Sequence, residues 1–284
     1  MNMDKGYVIF VQAGEQKDYL SQAIALSQSI KIFNKINNVT LMTNCVLTSE
    51  QRKCFDSVIG IPGTDEAKTQ DWKIQNRHKI YEASPYSETI VLDSDMLCLD
   101  SIDYWWNVLK NTDLYFTNEV KNYLGEKAKT NILYRKTFIK NNLPNIYCGM
   151  FYFKKTKYNN DFFAVLSEVM QNYKDYARKY CRDHIQQWCS LDVSTAITCK
   201  IMNHTNKITN SNLTFTHMKT RLQNWNVEEN WLQDIPIAYD NKLNVKINNV
   251  LQKQLLHYVQ DNFLNSELKE IIQNLWKEKT YNLA

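Results

Sequence analysis

The stretch Ile90-Val91-Leu92-Asp93-Ser94-Asp95 places two carboxylates one residue apart at the end of a short apolar run. The run Ile90 to Leu92 is rich in β-branched residues, is preceded by Pro85 and is too short for a buried helix, so it reads as a buried parallel strand. Such a strand needs a sheet whose two faces are both covered. In open α/β sheets, ligands gather at the carboxyl ends of the strands. Two carboxylates held there offer hard oxygen ligands to Mg2+ or Mn2+, with coordination left over for a substrate phosphate. An Asp-x-Asp tripeptide also suits a solvated turn, so the rest of the chain has to decide between the two.

The order of the preceding segments favours the sheet. Tyr7 to Val11 reads as a first strand buried on both faces, and Tyr19, Ala23, Leu26, Ile30 and Phe33 fall on one face of a following helix. Val39 to Thr43 is a second strand, which completes a β-α-β unit with a right-handed crossover and starts a parallel sheet. A short helix is expected over 49–56 and a third strand over 58–62. From Lys68 to Ala83 the spacing predicts a helix with Lys73, Arg77 and Tyr81 on one face and Lys79 beside them. That face is either a solvated basic surface or the place from which Arg77 or Lys79 approaches phosphates held at Asp93 and Asp95. The resulting order, β-α-β-α-β-α-β, is that of a nucleotide-binding half-sheet. The glycine fingerprints of dinucleotide and P-loop sites are absent, so metal and side chains must neutralise any phosphate.

Beyond the carboxylates, a helix is expected over 101–110 and a strand over Leu114 to Thr117. The lysine-rich segment 119–144 has no clear apolar period and reads as a mobile or acceptor-facing insertion. Asn145 to Phe153 is a strand containing Gly149, and glycine within a strand marks close approach of backbone or ligand. A helix from Asp161 to Lys179 follows, and Asp192 stands at the start of another, where it is either a dipole-favoured charge or a functional carboxylate. Leu213 to Thr216 is a strand leading into His217, Lys219 and Arg221, which are either surface loop residues or a metal ligand with phosphate-binding cations. His257 is a second candidate ligand, and an amphipathic helix over 266–277 is a packing element.

Composition bounds the alternatives. A hydrophobic share of 44% excludes general disorder, and a net charge of +4 neither demands nor excludes nucleic acid. There is no apolar run of about 18 residues, and the N-terminus lacks the apolar core of a secretion signal. Seven cysteines with no CxxC pair read as reduced thiols, and the expected location is the cytoplasm. With six glycines and four prolines there are few linkers, so one domain over 1–284 is expected. Its nucleotide-binding half would span about 5–118, its acceptor-side half about 145–225 and a C-terminal helical or irregular extension about 226–284.

Taken together over roughly residues 7–225, these features resemble the GT-A glycosyltransferases, and within them the glycogenin-like, glycosyltransferase family 8 type. The resemblance implies an α/β fold, with a mostly parallel central sheet flanked by helices. It implies that Val11, Gln12, Ala13 and Tyr19 cradle the nucleotide and that Asp93-Ser94-Asp95 binds Mn2+ or Mg2+ and the diphosphate of a nucleotide sugar. Asn145 and Gly149 form a stretched Asn-x-Gly motif of the sugar and acceptor region, and Asp192 lies near the reacting sugar. The family's last motif, His-x-x-Gly-x-x-Lys-Pro-Trp, is matched in spacing by His217 and Trp225. Here His217 would be the third metal ligand, with His257 as runner-up. The sequence departs from that motif at Thr220, Gln223 and Asn224, which leaves Lys219 or Arg221 as the substitute phosphate cation.

The expected chemistry is transfer of a sugar from a nucleotide-diphosphate donor, a UDP-sugar favoured, to a hydroxyl on a glycan, a protein or a hydroxylated nucleobase. The metal acts as Lewis acid, Arg77, Lys79 and Lys219 add positive charge, and retention of anomeric configuration is what the resemblance implies. Three alternatives stay open at this point. One is a DNA-modifying glycosyltransferase that flips its base out of the duplex, with lysines of 119–144 and Lys154, Lys155 and Lys157 tracking phosphates. The others are a nucleotidyltransferase and a non-catalytic sugar-nucleotide binding protein.

Overall fold

The computed structural model describes residues 4–13, 17–63, 74–128, 135–182, 188–208, 213–219 and 230–281. In chain order its strands are β1 (Lys5–Val11), β2 (Val39–Thr43), β3 (Ser57–Ile59), β4 (Glu88–Leu92), β5 (Met96–Cys98), β6 (Leu114–Thr117), β7 (Tyr147–Lys154), β8 (Thr216–His217), β9 (Ile237–Tyr239), β10 (Val245–Ile247), β11 (Val250–Leu251) and β12 (Leu255–His257). The central sheet has the order β3-β2-β1-β4-β7-β6. Its first four members run parallel, whereas β7 is antiparallel to both β4 and β6. The fold is therefore mixed α/β with a mostly parallel central sheet, as expected.

Burial on both faces explains why the middle strands carry almost no polar residues. Along β1, Tyr7, Ile9 and Val11 join one core with Ile90 and Leu92 of β4, while Val8 and Phe10 join another with Val91. The first core is closed by Leu26 and Ile30 of the helix Tyr19–Phe33 and by Trp105, Trp106 and Leu109 of the helix Tyr104–Leu109. The second is closed by Phe162, Phe163 and Leu166 of the helix Lys157–Gln171 and by Ala196 and Ile197 of the helix Leu191–Ile201.

A second sheet, β5-β12-β8, continues directly from the end of β4. Within it β12 lies antiparallel to β5, with His257 opposite Met96, and parallel to β8, with His257 opposite His217. Strands β9, β10 and β11 form a separate antiparallel meander over a third core, to which Trp231 and Phe263 contribute. The C-terminal helix Ser266–Tyr281 buries Leu268 and Ile272 in that core and packs along the helix Tyr19–Phe33.

Several elements differ from expectation. The described part of the segment 68–83 is a tight turn of 3-10 helix, Gln75–Lys79, followed by one α-turn, Ile80–Ala83; Lys73 lies outside the described residues. The helix expected over 161–179 is two, Lys157–Gln171 and Tyr173–Tyr180, interrupted where the Asn172 side chain donates back to the Glu168 carbonyl and carboxylate. Of the strand expected over 213–216, only Thr216 is paired, together with His217. In its described part the segment 119–144 is packed into the fold. Val120, Asn122 and Tyr123 are buried, Lys121 bridges both Lys127 and Thr216, and Lys136–Lys140 is a short helix. Single bridges and a one-turn helix carry no periodic pattern, so composition could not reveal them.

Gly6 gives a test of the sheet packing. A Cβ built there meets the Tyr86 ring at 2.3–2.6 Å, and that ring is pinned by a 2.9 Å hydrogen bond from Thr40 Oγ1 to the Tyr86 hydroxyl. Gly6→Ala is expected to cost about 2–3 kcal/mol, the upper end for overpacking, read as a shift of the urea unfolding midpoint at unchanged slope.

Candidate active site

The site starts where β4 ends. Asp93 N–H donates to the Gly149 carbonyl at 2.9 Å, the last rung between β4 and β7, and the chain then turns through Ser94, which is buried, to Asp95. The Asp95 carbonyl accepts from the Tyr258 N–H at 3.1 Å, which fixes the turn against the end of β12. His257, the last residue of β12, directs Nε2 at Asp95 Oδ1 at 2.9 Å. One ligand atom each from Asp93, Asp95 and His257 lie within 4.8 Å of one another.

The charges are balanced by cations from separate elements. Arg77, on the 3-10 turn, forms an ion pair with Asp93 Oδ1 and lies over the Phe10 ring at 6.0 Å. That turn is tied to the end of β1 by Asn76 Nδ2, which donates to Gln12 Oε1 at 3.1 Å. Burial pushes the Asp95 carboxyl up, but the His257 charge and hydrogen bond outweigh it and hold Asp95 below the usual range. The same pairing outweighs burial at His257 and raises its imidazole above the usual histidine value. Burial opposes ionisation of Arg77 too, yet Asp93 keeps it firmly protonated. The Tyr19 phenol is pushed up to about 12 by burial and by the carboxylates of Asp95, Asp261 and Asp93.

Among the described residues, it is His257 and not His217 that lies within reach of both carboxylates. The resemblance pointed to His217 as third ligand, but β8 is one strand further from β5 than β12 is, and neighbouring strands are about 4.8 Å apart. His217 instead stacks on His257, with ring centroids 4.4 Å apart, and accepts from the Lys219 N–H at 3.2 Å. Burial first, then the charges of His257, Lys219 and Arg135, hold His217 well below the usual value, as a neutral ring.

A second cluster lies across β7. Ser190 caps the helix Leu191–Ile201, whose first turn presents Asp192. Asp192 Oδ1 accepts from the Cys148 N–H at 2.9 Å, and Oδ2 accepts from Arg135 Nη1 at 2.8 Å. Asn145 Oδ1 accepts from Arg135 Nε at 3.1 Å. Gly149 links the two clusters: a Cβ there would meet Met96 Cε at 2.9 Å, Phe215 Cζ at 3.2 Å and Asp93 Oδ2 at 3.3 Å.

Of the residues expected from sequence, the structure brings Asp93, Asp95, Arg77, Gly149 and His257 together, with Asn145 and the helix-borne Asp192 at the adjoining end of β7, while the Asp93 and Asp95 charges reach Tyr19. Val11 and Gln12 are buried at the end of β1, Ala13 N–H donates to Asn44 Oδ1 at 2.7 Å, and Lys79 is buried in the turn that carries Arg77. Lys219 stands by the two histidines, while Arg221, Thr220, Gln223, Asn224 and Trp225 lie outside the described residues. Arg135 was missed as a site residue. Its only signal was being the one arginine in the lysine-rich segment, close to Phe138.

No protein-family model and no curated protein sequence matches this chain. Solved structures do match in fold. The apo structure of the bifunctional glycosyltransferase WbbM aligns with a TM-score of 0.52 at 12% identity, covering 97% of this chain and 50% of that one. This chain has a fold that glycosyltransferases adopt. The glycosyltransferase GlyE of Streptococcus pneumoniae TIGR4 aligns with TM-scores of 0.46 and 0.47 at 12% and 13% identity, covering 99% of this chain and 63% of that one. The chain thus spans about half to two thirds of the length of these structures.

Gly149→Ala is expected to destabilise less than Gly6→Ala, because the nearest obstacle is the flexible end of Met96 rather than a pinned ring. A loss of about 1–2 kcal/mol in urea unfolding checks this.

Proposed function

We propose that this chain is a metal-dependent glycosyltransferase of the family 8 type, transferring a sugar from a nucleoside-diphosphate sugar to a hydroxyl acceptor with retention. The carrying observation is the convergence of Asp93, Asp95 and His257 at the end of a central strand, in a fold that glycosyltransferases share. The residues suit a divalent ion. Two carboxylates with an imidazole form a mixed oxygen–nitrogen set that favours Mn2+ over Mg2+. His257 Nδ1 is buried without a hydrogen-bond partner, so Nε2 is the nitrogen turned to the acid pair. When bound, such an ion supplies Lewis-acid stabilisation of the departing nucleoside diphosphate.

The protein's own groups divide the remaining work. Arg77 is a planar, permanently charged donor beside the carboxylates, suited to a diphosphate oxygen. Lys219 adds a second positive charge near the histidines. Tyr19, kept protonated by its surroundings, remains a hydrogen-bond donor at neutral pH. Asp192 and Asn145 offer an acceptor and an amide to sugar hydroxyls, and Asp192 steadies positive charge as the glycosidic bond opens.

A saccharide or protein hydroxyl is favoured over a DNA base by one observation. The ammonium of Lys154 donates to the Lys110 carbonyl at 2.6 Å, and that of Lys155 to the carbonyls of Tyr81 and Glu82, so these two lysines serve the main chain. No helix among the described residues is long and apolar enough to cross a membrane.

The test is release of nucleoside diphosphate from a panel of UDP- and GDP-sugars with Mn2+, with Mg2+ and after EDTA. Turnover is expected with Mn2+ and to be lost on chelation. The double variant Asp93→Asn, Asp95→Asn, with folding verified by circular dichroism, should lose about 100-fold or more. Unchanged turnover in that variant overturns the reading, and pyrophosphate release from a nucleoside triphosphate would favour a nucleotidyltransferase.

A further inference from the structure

Arg135 is fully buried, yet it is charged and sits in no part of the carboxylate–histidine cluster. Its guanidinium lies between two rings, with its carbon 3.7 Å from the centroid of Tyr147 and 4.2 Å from that of Phe138. Four of its five N–H groups go to Asn145, Ile146 and Asp192. Nε and Nη2 donate to Asn145 Oδ1, Nη2 also donates to the Ile146 carbonyl at 2.8 Å, and Nη1 donates to Asp192 Oδ2 at 2.8 Å. Burying an arginine only to stabilise the fold is poor design, since an apolar replacement of similar volume is commonly neutral or better. The geometry gives a reason for it. Asn145 precedes β7, and Asp192 lies in the first turn of a helix on the other side of it; the guanidinium ties the two side chains into one rigid unit.

The consequence for each partner can be counted. Asn145 Nδ2 spends one N–H on the Asn118 carbonyl at 2.9 Å, which leaves one amide hydrogen. Each Asp192 oxygen accepts one hydrogen bond, from Cys148 N–H or from Arg135, which leaves one lone pair on each. Both side chains are partly exposed, whereas Arg135 is not. The unit therefore presents one donor and a fixed pair of acceptors, a pattern that matches vicinal hydroxyls.

We propose that Arg135 is a positioning residue that locks Asn145 and Asp192 into one sugar-binding unit, an inference that rests on the transferase reading above. Arg135 touches no substrate and acts through those two side chains. A lysine retains the charge but has no planar fork, so it cannot hold both partners at once. The unit thereby governs the sugar half of the donor and leaves the nucleotide half alone.

The experiment compares wild type, Arg135→Lys, Asp192→Asn and the double variant, each verified by thermal melting. Calorimetry with Mn2+ present measures UDP and UDP-glucose, UDP-galactose and UDP-N-acetylglucosamine as probes; UDP release gives kcat. In Arg135→Lys the affinity for UDP should stay within about twofold of wild type, while kcat falls about 10- to 100-fold. The extra affinity of the preferred UDP-sugar over UDP should shrink with it. Because Arg135 acts partly through Asp192, adding Arg135→Lys to Asp192→Asn should cost less than it costs in the wild type. Independent, multiplying losses, or an equal loss of UDP and UDP-sugar binding, would show a merely structural role and overturn the inference. UDP binding with no increment for any sugar in the wild type would also overturn it while leaving the nucleotide site intact. No binding of UDP, and none of GDP measured in the same way, would remove the transferase reading and the inference with it.

Discussion

The hydrogen bond from Asp93 N–H to the Gly149 carbonyl is the contact on which the site depends. It is the point at which the carboxyl end of a parallel strand meets the amino end of an antiparallel one. Were β7 parallel to β4, its amino end would stand at the opposite edge of the sheet, roughly 20 Å away for a strand of this length. Asn145 and the first turn of the helix bearing Asp192 would go with it. A reversal of one strand thus brings the Asp93–Asp95–His257 cluster and the Asn145–Asp192–Arg135 cluster to one end of the sheet. Gly149 is the residue at the junction, because any side chain there would press on Asp93, Met96 and Phe215.

The elements legible in the sequence are those whose burial is uniform. β1, β2 and β4 face a core on both sides, so their composition alone announces them. The helix Tyr19–Phe33 was equally legible, since one of its faces is covered by the sheet. The direction of β7 was not, because an apolar strand buried on both faces reads the same whichever way it runs. The histidine that joins Asp93 and Asp95 was hidden for a related reason. His217 and His257 both follow short apolar stretches, and only the pairing of β12 between β5 and β8 puts His257 nearer Asp95.

Arg135 illustrates a different limit. A buried arginine is legible only through its partners, and Asn145, Ile146 and Asp192 come from two other segments of the chain. In the lysine-rich surroundings of 119–144 its charge reads as one more solvated cation. The structure separates it from them by exposure: Lys127 is largely exposed and pairs with Glu119, whereas Arg135 has no exposed surface. Lysine would be a poor substitute in that place, since its single ammonium cannot lie flat between Tyr147 and Phe138 while donating along two edges.

Electrostatics then explains why the acid pair tolerates its position. Two carboxylates one residue apart, partly withdrawn from water, repel and lose hydration. Each is compensated from a different quarter of the fold, Asp93 by Arg77 from the turn before β4 and Asp95 by His257 from β12. The two compensations differ in kind. Arg77 cannot give up its charge, whereas an imidazole can release its proton and turn the same nitrogen into a ligand. Under the function proposed above, a divalent cation would displace the His257 proton while Arg77 keeps a fixed positive charge at its side.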